Sequence, residues 1–146
     1  MTTFLASELA ERIGLPGESP VRVLNRVRNW TKLGLLKPIG DRPSGGGRAF
    51  LYSDDALLDA TVLQLFHAAG IPDTDATRAL VDVREKLAER RWRDHLLVVS
   101  RPHDFGTWEV GVQPPEKVGA WINRQPKRAF VVVSIRRLLE SVGRDK

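Results

Sequence analysis

At 146 residues, 42% of them hydrophobic, the chain is long enough to bury one good core or two small ones. The absence of cysteine, with histidine only at 67, 95 and 103, excludes a disulfide framework and thiolate metal sites and leaves no metal-ligand spacing, so no metal or cofactor is expected. The net charge of +5 is uneven: residues 19–52 hold seven Lys or Arg against one acid, Asp41, a clustering that suits phosphate neutralisation with counterion release.

From the N-terminus, Leu5, Leu9 and Ile13 fall at i, i+4 and i+8, predicting a short first helix that Gly14 and Pro16 terminate. Gly17-Glu18-Ser19-Pro20 supplies a turn, an N-cap serine and a proline at the first helical position of a second helix. Val23, Val27, Trp30 and Leu33, with Leu24, form its core stripe. Arg22, Arg26 and Asn29 fall on one flank and Asn25, Arg28 and Lys32 on the other. Two helices joined by a short turn, the second presenting Arg and Asn, make a helix-turn-helix pattern. The residue types matter, because Arg pairs with guanine O6 and N7 and Asn with adenine N6 and N7 in the major groove. A merely solvated face would mix Glu among the Arg residues as i, i+4 pairs, and this one does not.

Beyond Pro38, Ile39–Pro43 reads as one arm of a hairpin, Ser44–Gly47 as its tip and Ala49–Tyr52 as the return strand, with Arg42 and Arg48 flanking the tip. The plain alternative is a surface hairpin. Helix three spans 54–69, capped by Ser53, with Asp54 and Asp55 at its positive end and Leu57, Leu58, Val62, Leu65 and Phe66 inward. A fourth helix, capped by Asp73-Thr74, reaches about Trp92 on the stripe Ala76, Leu80, Val83 and Leu87. The cluster Arg90-Arg91-Trp92-Arg93 at its end suits a helix C-terminus electrostatically. From His95 the period changes. Leu96–Val99 and the alternation Trp108, Val110, Val112 predict a hairpin turning at Pro102–Gly106. Pro114-Pro115 opens a short helix with Val118, Trp121 and Ile122, Phe130–Val133 is a covered strand, and Ser134 caps a last helix on Ile135, Leu138, Leu139 and Val142.

The N-terminal half resembles the winged helix-turn-helix domain of the MerR family of bacterial transcription regulators. The resemblance rests on Glu8-Leu9-Ala10, on Val27 through Pro38, on Gly47 through Leu57, and on Leu63-Gln64-Leu65-Phe66-His67-Ala68-Ala69-Gly70-Ile71. It covers about the first 75 residues. By position it implies that Arg28 is the family's helix-two arginine and that Arg48 and Tyr52 lie on a wing gripping phosphates. The chain departs from the family in a longer segment before Val27, in Phe50 where the wing usually has Arg, and in strand-like sequence from His95 where a long dimerisation helix is common.

The expected fold is mainly α with a small α+β C-terminal part: a winged helix-turn-helix over 1–73, a linking or dimerisation helix over 74–94, and a ββαβα unit over 95–146. The expected function is sequence-specific regulation of transcription, with helix 20–33 in the major groove and wing 39–52 on the backbone. Candidate DNA-binding residues are Arg22, Asn25, Arg26, Arg28, Asn29, Lys32, Arg42, Arg48 and Tyr52. The partner is double-stranded DNA, an inverted repeat bound by a homodimer. An excisionase-like architectural protein of a mobile element is the alternative. Residues 95–146 could serve as an effector pocket, a dimerisation module or a docking surface, and composition does not choose; Trp108 and Trp121 fit a core at least as well as a pocket. An enzyme is not expected: His103-Asp104, His95 and Glu109 come with no nucleophile, phosphate loop or paired carboxylates. No apolar run approaches the roughly 18 residues of a membrane span. Met1–Leu5 lacks a signal peptide's basic start, so a cytoplasmic, nucleoid-associated location is expected.

Overall fold

The computed structural model describes residues 2–40, 49–102, 107–125 and 128–144. They form mixed α and β structure in two compact units, 1–68 and 69–146. Among them no helix is long and apolar enough to cross a membrane.

In the first unit, β1 (Phe4–Leu5) leads directly into α1 (Ala6–Ile13), α2 (Pro20–Lys32), β2 (Leu51–Tyr52) and α3 (Asp54–Ala68). Leu5 was expected in the helical stripe; instead it is extended and exposed, and Phe4, Leu9, Ala10 and Ile13 face the core. The Leu5 N–H donates to the Glu8 carboxylate at 2.6 Å, which satisfies one of the free donors at the start of α1. β1 pairs antiparallel with β2, Phe4 opposite Tyr52, and the Ile39 N–H donates to the Leu51 carbonyl at 2.7 Å. Ile39 and β2 are therefore tied to one short ladder with β1, while residues 41–48, where the wing tip was expected, lie outside the described residues.

The turn between α1 and α2 closes at Leu15-Pro16-Gly17-Glu18, with the Glu18 N–H on the Leu15 carbonyl at 3.0 Å and Gly17 at φ 86°. Proline at the second position and a positive-φ glycine at the third define a type II turn. Ser19 takes the N-cap position of α2, but its side chain makes no capping hydrogen bond. At the other end Gly34, at φ 77°, donates to the Thr31 carbonyl, and Leu35 donates to that of Trp30. This pair of bonds is a Schellman motif, and it turns Leu35 and Leu36 into the core. Leu33, read from the sequence as core, is 55% exposed, because the chain reverses immediately after it. α3 is buried on most of its circumference, and Ser53 caps it by accepting from the Ala56 N–H at 3.3 Å.

The second unit runs α4 (Asp73–Ala88), a 3-10 turn (Arg90–Trp92), β3 (Leu96–Pro102), β4 (Glu109–Gln113), α5 (Pro115–Arg124), β5 (Arg128–Ser134) and α6 (Ile135–Ser141). α4 starts after Pro72, not after an Asp73-Thr74 cap. It stops at Ala88, short of Trp92, because Glu89 is extended. Expected as a linking or dimerisation helix, it packs against β4 within this unit. The sheet order is β4-β3-β5, with both neighbours antiparallel to β3. β4 and β5 are thus parallel to each other, and α5 is the crossover helix between them. The rings of Trp121 and Phe130 meet edge to face at 5.5 Å, so α5 touches the sheet at Phe130, while Val132 on the same face stays exposed. Leu97, Val98, Val99 and Ser100 are all buried in the central strand. Ser134 caps α6 through the Arg137 N–H.

Candidate nucleic-acid interface

At 100° per residue, Val21, Arg22, Asn25, Arg28, Asn29 and Lys32 fall within an arc of roughly 120° on α2, and all six are exposed. Val23, Val27 and Trp30 fill the opposite side and are buried. No acid occurs between Ser19 and Gly40. Among the described residues, Arg22, Arg28, Lys32 and Lys37 make no hydrogen bond or ion pair, so their charge faces solvent uncompensated. Such an arc can offer both base-edge donors and phosphate contacts.

Arg26 departs from the expectation. Its guanidinium bonds Glu18 Oε2 at 3.0 Å and the side-chain oxygen of Gln64, whose amide nitrogen donates to Glu18 Oε1. Gln64 is only 2% exposed. Glu18 also accepts from the Leu15 N–H at 2.9 Å. That backbone donor first, and Arg26 beside it, hold the Glu18 carboxyl below its usual range against the opposing effect of burial. Arg26 is therefore a clamp that ties the lengthened turn and α2 to α3 through its Nη1 group, which serves both Glu18 and Gln64.

Tyr52 also departs, being 1% exposed. Its hydroxyl lies 2.7 Å from Thr31 Oγ1, and Thr31 donates its own proton to the Val27 carbonyl at 2.9 Å. Thr31 has only one proton to give, so Tyr52 donates to Thr31 and has none left for a phosphate. Its role is to fix the ladder against α2. Around this contact lies a groove of about 710 Å³ lined by Ala6, Arg28, Thr31, Lys32, Ala49, Phe50 and Tyr52. It brings Arg28 and Lys32 beside the return strand, an apolar floor under a cationic rim. Arg42 and Arg48 lie outside the described residues.

Two exposed residues of this surface were missed in the sequence reading. Lys37 continues the acid-free run past the helix, and Val21 is 65% exposed at the helix start, where an apolar group can meet a thymine methyl. Their signal was position: Val21 stands four residues before Asn25, on the same face.

In the second unit, the arginine cluster sits beyond the end of α4. Arg91 pairs with Glu89 and stacks over the Trp92 ring at 4.2 Å, and Arg93 donates to the Arg144 carbonyl at 2.8 Å. His95 meets Trp92 edge-on at 5.0 Å. Trp108 is buried and Trp121 half-buried against Phe130. His103 and Asp104 lie outside the described residues. No group of three or more His, Cys, Asp or Glu side chains comes together among the described residues. No family model matches the chain, and comparison with curated proteins gives no match.

Proposed function

We propose that the chain is a sequence-specific, duplex-DNA-binding regulator of transcription that lays the exposed face of α2 in the major groove. The observation that carries this reading is the acid-free arc on α2, where unpaired cations alternate with Asn25 and Asn29 opposite a fully buried stripe. The groove where Arg28 and Lys32 meet the return strand supports it, since phosphate contacts flanking a groove-inserted helix fix its register. A MerR-like, homodimeric mode of action on an inverted repeat, in a bacterial nucleoid, belongs to the same proposal. An architectural, excisionase-like role uses the same surface, and the position of bound sites relative to promoters separates the two.

Selection of bound fragments from the host genome tests the proposal. The expected result is a recurring two-fold site whose half-sites lie about one helical turn, or a multiple of it, apart. Absence of duplex binding even near about 50 mM salt, where phosphate contacts are strongest, overturns it.

A further inference from the structure

We infer that the outer edge of β5 is a homodimer interface, in which two copies of the chain pair β5 with β5 antiparallel to make one six-stranded sheet. β5 pairs with β3 on one side, and no described strand lies on the other. Half of its backbone N–H and C=O groups therefore point outward, and an extended strand is the shape that satisfies them. The two edges of this sheet are unlike. β4 has five residues, contains Glu109 and Gly111, runs into Pro114 and has α4 packed against it. β5 has seven residues, and Ala129 through Ser134 contain no charge, proline or glycine. Those exceptions are the usual devices that keep edges apart.

The sequence of β5 matches it to its own copy. Antiparallel pairing centred on Val131, the middle of Arg128–Ser134, uses all seven residues and sets Val131 opposite its equivalent. It also places Phe130 opposite Val132, an aromatic against a β-branched side chain on one face, with no like charges opposed. Val132 is 41% exposed, and Phe130, Val131 and Val133 are half-buried, so the strand retains apolar surface for a partner to cover. The pairing is two-fold and closes on itself, giving a dimer and not a filament. α4 offers less: its exposed side carries Arg78, Arg84 and Glu85 around a single large apolar residue, Val81.

This inference supplies the dimer that the DNA reading calls for, but the two are tested separately. The chain has no cysteine, so a single introduced thiol reports one contact. The full-length protein is expected to sediment at twice its 16.4 kDa chain mass. Val131→Cys should form a disulfide dimer under mild oxidation, since directly opposed residues fall within disulfide reach. Val81→Cys should not. Val132→Lys, at an already exposed position, should weaken dimerisation at least about tenfold with its circular dichroism unchanged. If that variant does not fold, the cross-link alone decides. A monomer at micromolar concentration, or a dimer without the Val131 cross-link, overturns the inference. Wild-type monomer that still binds duplex overturns it alone, and a β5-linked dimer that binds no DNA supports it while overturning the DNA reading.

Discussion

Arg26 and Arg28 are two residues apart on one helix, yet they ask for opposite experiments. Arg26 is held by Glu18 and Gln64, whereas Arg28 lies on the exposed arc. Replacing Arg26 by Ala leaves Gln64 Oε1 and Glu18 Oε2 without their donor in a part-buried site, which costs about 1–3 kcal/mol. In a unit of this size that lowers the melting temperature by roughly 4–8 °C per kcal/mol, with equal loss of binding to preferred and random duplex. Arg28→Ala should leave melting unchanged. If Arg28 reads a base, binding to the preferred site falls by about 1–3 kcal/mol relative to random duplex; if it holds a phosphate, both weaken together and the salt slope drops by about 1. Parallel thermal melts and salt titrations distinguish the two residues. Glu18 adds a pH dependence. Its folded carboxyl is held below the ordinary range of a glutamate, so its contribution is present above the unfolded pKa and is lost as pH falls through the folded one. The stability gap between wild type and Glu18→Gln, followed by denaturation across acid pH, should shrink in that window and be constant near neutrality.

At the scale of elements, the chain reversal at the end of α2 depends on Gly34. A Cβ there meets nothing within 4 Å, so the cost of substitution is conformational: φ is 77°. Gly34→Ala should destabilise by about 1–2 kcal/mol and Gly34→Asn by less, as measured by denaturant unfolding. This reversal was partly legible, since glycine followed by apolar Leu35 after a helical run signals a stop. Most helices and the β3, β4, β5 order were legible too, because their periods change cleanly at Pro16, Pro38 and His95. Three features were not. β1 is two residues long, too short to carry a period, and is defined only by β2 some 47 positions away. The commitment of Arg26 depends on Gln64, 38 residues on, inside a helix whose all-round burial hides which polar residue turns inward. Tyr52 looked like a wing contact from its position. Its burial follows from Thr31, which no local pattern connects to it.

For the whole molecule, division of charge by structural unit corrects the emphasis placed on net charge. Residues 1–68 hold eight basic and seven acidic groups and residues 69–146 fifteen and eleven, so the unit with the candidate interface is nearly neutral. Five of its seven acids lie on other elements, Glu8 and Glu11 on α1 and Asp54, Asp55 and Asp59 on α3, and a sixth, Glu18, is paired with Arg26. What distinguishes it is segregation, four unpaired cations along one acid-free run of sequence, which steers a polyanion toward α2 and repels it elsewhere. Binding should accordingly be steeply salt-dependent despite the small net charge. Each cation that neutralises a phosphate contributes about 0.9 to the log-log slope, and a β5-linked dimer that engages both half-sites doubles the sum. Titration of wild type and Val132→Lys on the same two-fold duplex should then give slopes in a ratio of about two to one. Equal slopes would mean that a single α2 face touches DNA in both cases, and that pairing through β5 does not present two reading heads at once.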